Sequence, residues 1–543
     1  AFLSGLPLKK MVFSPAVLMK SGLPALCKRR KLCERTDFVD RKKRCFMGID
    51  VGTYESKGVL IDSDCRIICQ ASQKHGLENP QPGWYEHDAE EGWWKDVCKI
   101  SLQLLEQSGL NPAEIECVGL SALGCDCVPV DEECLPLCKA ILYGIDSRAQ
   151  EEIEEIKACY GERFPQVFSH PLVSSSISPK ILWIKNHLPD VYCKTYKFLT
   201  ASSFLTAKMT GRYCIDKYLS GSFAPLYDEN GVNEAECGLF CRPDQLAEIT
   251  LATDIVGTVT PQAAACTGLL PGTKVLTGTG DSGAESVSCG VFTPGTIMIQ
   301  LGSTCFFIYN TDRSSADSRI RPGPYLIPGT YCVAAGTNNG GTLTKWYRDQ
   351  LFPVLLAKEE AGGENAYAAM AKIAASAPAG SDGLFTLPYF AGERTPINDP
   401  QARGIIFGLH SRHTRAHLYR SALEGIGYSI AQHFDLLEQN QLPVKKIMAV
   451  GGGTKNPLWL QIIADMLDRE ILVPEVTIGA CYGDAILCAL SCGCYDNFAA
   501  LGQKIKVAQT IRPIPENHAV YQKGKPIFQA LYDATKELMH QSL

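Results

Sequence analysis

Two short apolar runs joined by a polar turn form the first recognisable pattern of the chain. Residues 46–50 read Phe-Met-Gly-Ile-Asp, and a second run covers 57–62, after the turn at Gly52. Two strand-like runs around a glycine turn predict a β-hairpin. A related pattern recurs about 250 residues later, where 295–301 leads into a Gly-Ser-Thr turn followed by the apolar run 305–309. The repetition predicts two similar domains facing one another, divided near residues 288–296.

Between and after these hairpins, helical and strand-like patterns alternate. Apolar residues recur at helical spacing in 88–108, 147–158 and 417–438, and strand-like runs cover 117–121 and 446–450. Strands that alternate with helices are typical of an α/β architecture. We therefore predict an α/β protein of two domains, which a length of 543 residues also favours, because a single hydrophobic core rarely grows that large.

Composition and charge narrow the classes of function. The 45% hydrophobic and 20% charged residues are typical of a globular protein, and no apolar run is long enough to span a membrane. The net charge of -6 gives no support for a nucleic-acid partner. The 24 cysteines lack zinc-site spacing, so we expect reduced thiols, no metal or disulfide role, and a cytoplasmic location.

Residues 1–44 differ from the rest, with 12 Lys and Arg against 3 Asp and Glu. This predicts a basic leader over 1–44. It is interpreted either as a disordered tail or as a targeting presequence, which is typically basic and poor in acids.

The first hairpin turn has the residues of a phosphate-binding loop. Glycines in 48–57 permit close approach of the backbone, Thr53 and Ser56 offer hydroxyl donors, and Lys57 adds a positive charge. Asp50, at the end of the predicted strand, suits a hydrated Mg2+ ion. An ordinary hairpin turn is the alternative interpretation, and the segment lacks the Walker A pattern.

A carboxylate between small residues is the candidate catalytic base. Residues 277–284 read Thr-Gly-Thr-Gly-Asp-Ser-Gly-Ala, so that a substrate can come close to Asp281. Phosphoryl transfer to an alcohol needs an oriented hydroxyl, a base for its proton and cations near the phosphate. The alternative interpretation is that Asp281 only caps the start of a helix.

Two glycine turns in the second half are candidate nucleotide contacts. The turn 302–304 is predicted to offer hydrogen-bond donors to the nucleotide from the wall of the cleft opposite the first loop. The alternative interpretation is that it is only a structural turn. The turn in 450–456, Val-Gly-Gly-Gly-Thr-Lys-Asn, separates a strand from a helical stretch, where a base or ribose can pass close to the backbone. A Rossmann site is disfavoured, because G-x-G-x-x-G does not occur there.

In this order, the motifs resemble the FGGY carbohydrate kinases, a family that includes glycerol kinase, xylulokinase, gluconokinase and fuculokinase. The resemblance extends from about 46 to 530, includes 390–396, and is strongest to the xylulokinase branch. It implies two ribonuclease-H-like domains of the actin and sugar-kinase ATPase fold with a cleft between them. Residues 45–290 would bind the sugar and hold the base, and 291–543 would bind the nucleotide. ATP and Mg2+ are the implied cofactors, and the implied partners are a small sugar or polyol and, in a homodimer, a second copy.

The resemblance also implies roles for single residues. Asp281 matches the family's catalytic base, and Asp50 matches the carboxylate near Mg2+. The implied nucleotide-binding residues are Thr53, Ser56 and Lys57 in the first loop, Ser303 in the second, and Gly341, Gly452 and Asn456 around the nucleotide.

The segment that selects the sugar departs from the family pattern. After the strand 118–121, glycerol kinases have Gln-Arg-Glu and xylulokinases Gln-Met-His, but this chain has Leu-Gly-Cys followed by Asp126. Glycerol is therefore not expected as the substrate. Asp126 is predicted to accept hydrogen bonds from the sugar, with a solvated turn residue as the alternative. Ser282, where the family often has Asn or Gln, is a second predicted substrate contact.

Two further expectations complete the sequence interpretation. Asp146 and Arg148 are predicted to form a structural ion pair near the sugar pocket, with direct substrate contact as the alternative. The predicted function is ATP-dependent phosphorylation of a hydroxyl of a small sugar or polyol. The alternative is a sugar-sensing or regulatory protein that keeps the fold and has reduced catalysis.

Overall fold

The computed structural model describes residues 44–168, 171–313, 315, 317–320 and 322–542. The predicted basic leader, apart from Arg44, lies outside the described residues. None of the helices in the described ranges combines the length and apolar character that a membrane-crossing segment needs.

Seven strands of the first half form one sheet. In chain order they are β1 (Cys45–Val51), β2 (Glu55–Asp62), β3 (Ile67–Lys74), β4 (Ile115–Ala122), β5 (Ile255–Thr258), β6 (Lys274–Leu276) and β7 (Thr279–Gly280). The order across the sheet is β5-β6-β4-β1-β2-β3, with β7 paired to the end of β4. Strands β1, β4 and β6 run parallel, whereas β2, β3 and β5 are antiparallel to their neighbours.

The second sheet has a closely related arrangement. Its strands are β8 (Thr296–Leu301), β9 (Cys305–Thr311), β10 (Gly323–Pro324), β11 (Tyr331–Thr337), β12 (Lys446–Val450), β13 (Ile471–Pro474) and β14 (Val507–Ile511). The order is β10-β11-β9-β8-β12-β13-β14, and β8, β12 and β13 are the parallel strands. Apart from β7 and β10, the two sheets share the pattern of parallel and antiparallel neighbours and the placement of their first four strands, whereas the antiparallel edge strand comes before its parallel neighbour in the first sheet (β5 before β6) and after it in the second (β14 after β13). The predicted fold class of two related α/β domains is confirmed.

Helices cover the sheets. They are α1 (Lys95–Ser108), α2 (Gln150–Tyr160), α3 (Phe164–Val167), α4 (Ile177–His187), α5 (Pro189–Lys194), α6 (Ala201–Thr210), α7 (Lys217–Ser220), α8 (Glu234–Cys237), α9 (Pro261–Thr267), α10 (Asp281–Ser288), α11 (Gly341–Leu351), α12 (Pro353–Glu360), α13 (Ala366–Ala374), α14 (Arg415–Gln439), α15 (Pro457–Leu467), α16 (Ala480–Ser491), α17 (Phe498–Gly502) and α18 (Pro515–Gln541). The predicted helices correspond to α1 with its preceding π-helical turn, α2 and α14. The bounds of the predicted helices and strands differ from the observed bounds by at most three residues.

Close backbone contacts bring α16, from the second half, against the first sheet. A Cβ atom at Gly48 of β1 would lie 1.9 Å from the carbonyl oxygen of Cys481, and one at Gly119 of β4 would lie 2.6 Å from that of Asp484. A Cβ at Gly483 would lie 1.9 Å from the carbonyl oxygen of Ala284 in α10. Only glycine permits such approach. Side chains of α16 therefore reach the carboxyl end of the first sheet.

Candidate active site

The predicted site residues gather at the carboxyl ends of parallel strands. In the first sheet, Asp50 lies near the end of β1, the segment 123–126 follows β4, and Asp281 follows β7. In the second sheet, β8 and β12 are parallel neighbours, so the turns that follow them, at 302–304 and 451–453, lie side by side. In α/β sheets, ligands bind in crevices outside the carboxyl ends of the strands.

Asp281 is the first residue of α10. Its Oδ1 accepts a hydrogen bond of 2.6 Å from the backbone N–H of the next residue, Ser282, but α10 has no side-chain cap, so the capping interpretation of Asp281 is wrong. Within the described chain no hydrogen bond engages Oδ2, so this oxygen is available to a substrate hydroxyl. Burial raises the pKa of Asp281 to about 6. The carboxylate is therefore more basic than that of an ordinary aspartate.

Asp50 shares a hydroxyl with a carboxylate from the other half of the chain. Ser121 Oγ lies 3.0 Å from Asp50 Oδ1 and 2.6 Å from Asp484 Oδ2. Burial raises the pKa of Asp484 well above its usual range, so a protonated Asp484 can supply the second proton that these two contacts need. Burial, and then the charge of Asp281, also raise the pKa of Asp50.

The environment of Asp50 suits a hydrated divalent cation. In the described ranges, no group of three or more His, Cys, Asp or Glu side chains is arranged to enclose a metal ion. Mg2+ does not need such an enclosure, because it commonly keeps several waters and binds through one or two carboxylates. Asp50 keeps one oxygen without a hydrogen bond within the described chain. The donor set therefore fits a Mg2+ ion that keeps most of its waters.

The structure corrects the predicted role of Ser56. Its hydroxyl is buried and donates a 2.9 Å hydrogen bond to Asp96 Oδ2. The same oxygen lies 2.8 Å from His75 Nδ1, and His75 Nε2 lies 2.9 Å from the carbonyl oxygen of Gly52. This network lies beneath the first loop and fixes its backbone. The hydroxyl of Ser56 is therefore not available as a phosphate donor.

Lys57 and Thr53 remain on the open side of the first loop. Lys57 pairs with Asp50 across β1 and β2, and its side chain is 43% exposed, with Glu55 at 3.6 Å. Thr53 Oγ1 lies 2.9 Å from Tyr143 Oη. Because neighbouring residues of a strand point to opposite faces, Lys57 faces the cleft while Ser56 faces the core.

The second loop is tied to the start of α11. The backbone N–H of Gly341 donates to the carbonyl oxygen of Gly302 at 2.8 Å, and that of Thr342 donates to Ser303 at 2.9 Å. A Cβ at Gly341 would lie 2.7 Å from the carbonyl oxygen of Gly302, so the close contact requires glycine. Ser303 itself is exposed. The loop thus presents the Ser303 hydroxyl beside the start of α11.

The turn after β12 has an open side. Gly451 adopts a φ of 87°, and a Cβ at Gly452 would meet nothing within 4 Å. Asn456 Oδ1 accepts a 3.1 Å hydrogen bond from the backbone N–H of Trp459 and caps α15. The amide nitrogen of Asn456 makes no hydrogen bond within the described chain. A flat group therefore has room to approach the backbone here, and the nucleotide contact stays a prediction.

The sugar-selecting segment contains a fully buried carboxylate. Asp126 Oδ1 accepts a 2.9 Å hydrogen bond from the backbone N–H of Ala201 at the start of α6. The interpretation of Asp126 as a solvated turn residue is therefore wrong. Ser282 Oγ lies 3.0 Å from Tyr218 Oη, so the second predicted substrate contact is held by an aromatic hydroxyl. Neither contact with a sugar is tested by these distances, and both remain predictions.

The predicted ion pair of Asp146 and Arg148 is confirmed. The guanidinium donates to Asp146 Oδ2 at 2.8 Å and to Glu86 at 2.8 Å, and it stacks over the ring of Trp84 at 4.2 Å. These contacts fully engage the buried guanidinium, which supports the structural interpretation.

The segment 390–396 packs within the second half of the chain. Glu393 accepts a 2.8 Å hydrogen bond from the backbone N–H of Asn338, and Arg394 donates to the carbonyl oxygen of Thr337 at 3.0 Å. These contacts join the segment to the end of β11, a strand of the second sheet.

Three side chains near the site were not among the residues predicted from the sequence. Glu285 lies one helical turn after Asp281, and burial raises its pKa to about 7. That spacing was a usable signal, since residues four apart share a helix face. Tyr218 and Asp484 gave no local signal, because Asp484 meets Ser121 across 363 positions of the chain.

Two sheets with the same pattern of parallel and antiparallel strands, each with a glycine turn at the carboxyl end of its parallel strands, are typical of the sugar-kinase and actin ATPases. Models of this family match both halves: residues 45–288 match the N-terminal domain, and residues 297–492 match the C-terminal domain, of the FGGY family of carbohydrate kinases. The chain belongs to that family and is a sugar kinase.

Relatives of different sugar specificity are similarly distant from this chain. A xylulose kinase of Staphylococcus epidermidis is 27% identical over 507 residues, covering 91% of this chain and 98% of that protein. A gluconokinase of Bacillus subtilis is 28% identical over 489 residues, covering 89% and 94%. The crystal structure of xylulose kinase from Rhodospirillum rubrum has a TM-score of 0.82 at 25% identity, covering 92% of this chain and 100% of that one.

Proposed function

We propose that this sugar kinase transfers the terminal phosphoryl group of ATP to a hydroxyl of a small sugar or polyol of the xylulose type, with Asp281 as the base. The observation that carries the proposal is the free Oδ2 of Asp281, at the carboxyl end of the first sheet beside Asp50. The similarity to xylulose kinases supports the substrate class, although gluconokinases are equally similar.

In the proposed step, Asp281 Oδ2 accepts the proton of the substrate hydroxyl while the hydroxyl oxygen bonds to the terminal phosphorus of ATP. The bond from that phosphorus to the bridging oxygen breaks, and its electron pair leaves with ADP. The raised pKa of Asp281 assists, because a base whose pKa lies nearer the working pH accepts a proton more readily. Closure of the two halves would exclude water, the competing acceptor.

The two loops would hold the phosphates from opposite sides. Lys57 supplies a positive charge from the first half, and the exposed Ser303 hydroxyl and the backbone of the turn 302–304 supply donors from the second. Gly341, Gly452 and Asn456 would line the nucleotide. A Mg2+ ion near Asp50 would neutralise charge that develops on the phosphates. Ser56 is proposed to support the first loop rather than to touch phosphate.

The substrate is tested by ATP consumption across xylulose, ribulose, xylitol, glycerol and gluconate. We expect kcat/KM for xylulose to exceed that for glycerol by about 10-fold to 100-fold, because the Arg and Glu that grip glycerol's hydroxyls in glycerol kinases are absent from 123–126. A preference for glycerol would contradict the assignment. Binding of a sugar without turnover would instead favour the sensor interpretation, which the altered segment motivates.

A further inference from the structure

A buried carboxylate oxygen beside the candidate active site lacks a partner. Asp126 is 0% exposed, and only its Oδ1 is hydrogen-bonded, while Oδ2 has no partner within the described chain. Leaving such a group unpaired is unfavourable, because its desolvation is not compensated by a hydrogen bond. A folded protein tolerates this cost most readily where a ligand completes the contact.

A buried ammonium group with spare donors lies close by. Lys180 of α4 is 1% exposed, and its Nζ donates at 2.6 Å to the carbonyl oxygen of Cys125, its one acceptor among the described residues. An ammonium carries three donors. Two of these donors therefore have no acceptor among the described residues, and a cavity of about 10 Å³ beside Lys180, Ser174 and Ser176 has room for about one water.

The two groups influence each other without forming an ion pair in the described chain. Burial raises the pKa of Asp126 to about 7, against the opposing charge of Lys180, and Asp281 is also near enough to contribute. Burial lowers the pKa of Lys180, against the opposing charge of Asp126 among others. The two side chains are thus close neighbours, but the atoms that would satisfy both are not supplied by the protein.

We propose that Asp126 and Lys180 together bind one hydroxyl of the sugar, other than the one that is phosphorylated. Lys180 Nζ would donate to the hydroxyl oxygen, and the hydroxyl would donate to Asp126 Oδ2. Only a group that both accepts and donates satisfies both partners. The pair therefore recognises a hydroxyl of the substrate rather than a carboxylate, which only accepts. This inference rests on the proposed function and names Lys180 as a further specificity-determining residue.

The first test compares stability and needs no substrate. Asp216 is a matched control, because it is equally buried and burial likewise raises its pKa to about 7, but both its oxygens are bonded, to Thr279 Oγ1 at 2.7 Å and to the backbone N–H of Leu219 at 3.2 Å. Urea unfolding at pH 8 should show that Asp216→Asn lowers the midpoint and that Asp126→Asn leaves it equal or raises it. A loss at Asp126 as large as that at Asp216 would mean a structural role and would overturn the proposal.

The second test uses D-xylulose and its monodeoxy analogues. With the unmodified chain, we expect one analogue to show a kcat/KM about 10-fold to 100-fold lower than that of D-xylulose. That analogue lacks the bound hydroxyl, and its loss leaves both buried partners unpaired. With Asp126→Asn or Lys180→Gln, the same analogue should lose almost nothing relative to D-xylulose, and the effects of the two substitutions should not add. An unchanged penalty in both variants would overturn the inference. No turnover of D-xylulose by the unmodified chain would instead count against the proposed substrate, and the stability comparison alone would then decide the inference.

Discussion

Asp281→Asn is expected to lower kcat by about 10²-fold to 10⁴-fold, the usual contribution of a general base. Asparagine keeps the size of the side chain and the hydrogen bond from the backbone N–H of Ser282, so α10 should begin unchanged. What is lost is the free oxygen that would take the proton. Turnover is measured by ADP release at saturating sugar, and ATP binding by titration calorimetry, where we expect a change of less than about twofold.

Glu285→Gln is the matched control for this substitution. Glu285 lies on the same helix, one turn further on, and is also half-buried with a raised pKa, so its replacement removes a neighbouring charge without removing the proposed base. We expect kcat of this variant to fall by less than about tenfold. Near-normal turnover of Asp281→Asn, or equal losses in both variants, would contradict the assignment of Asp281.

Gly483→Ala is expected to lower the free energy of unfolding by about 3 kcal/mol or more, at the upper end of the usual cost of overpacking. The added Cβ would lie 1.9 Å from the carbonyl oxygen of Ala284, and backbone cannot move aside as a flexible side chain can. Helix α10 would have to shift, and Asp281 would shift with it. Kcat should therefore also fall in the molecules that remain folded.

Urea unfolding of Gly483→Ala beside Gly92→Ala tests this contact. Gly92 is the control because a Cβ there would meet nothing within 4 Å and its φ is not positive. We expect the control to change the free energy of unfolding by no more than about 1 kcal/mol. Similar midpoints for the two variants would show that α10 and α16 are not packed as closely as described.

Local patterns in the sequence were sufficient for the fold and for much of the candidate site. The strand at 446–450 was predicted with its observed bounds, and both hairpins were recognised from apolar runs around glycine turns. Such features depend on neighbouring residues only. Asp50 and Asp281 could be nominated for the same reason, because each ends or follows a buried strand.

The role given to Ser56 shows where sequence reasoning was incomplete. Ser56 and Lys57 are adjacent on β2, and adjacent strand residues point to opposite faces, so both side chains could not contact the same phosphate. The alternation was readable from the sequence. Which of the two faces the core was decided by Asp96 and His75, which the fold brings beneath the loop.

The remaining features of the site depend on packing between distant segments. Asp484 reaches Ser121 only because Gly48 and Gly119 let α16 lie directly on the first sheet. The burial of Asp126 likewise depends on the start of α6, 75 positions away. No local pattern distinguishes such a carboxylate from a solvated one, and the two alternatives therefore stayed open until the structure was known.

Phosphorus-31 NMR of the unmodified chain with ATP, Mg2+ and xylulose tests the central claim most directly. The account predicts that ADP and a sugar phosphate ester appear in equal amounts and that neither forms when the sugar is omitted. Formation of ADP with inorganic phosphate alone would indicate an ATPase without a sugar acceptor. Either that result or the absence of any new phosphorus signal across the sugar panel would contradict the account.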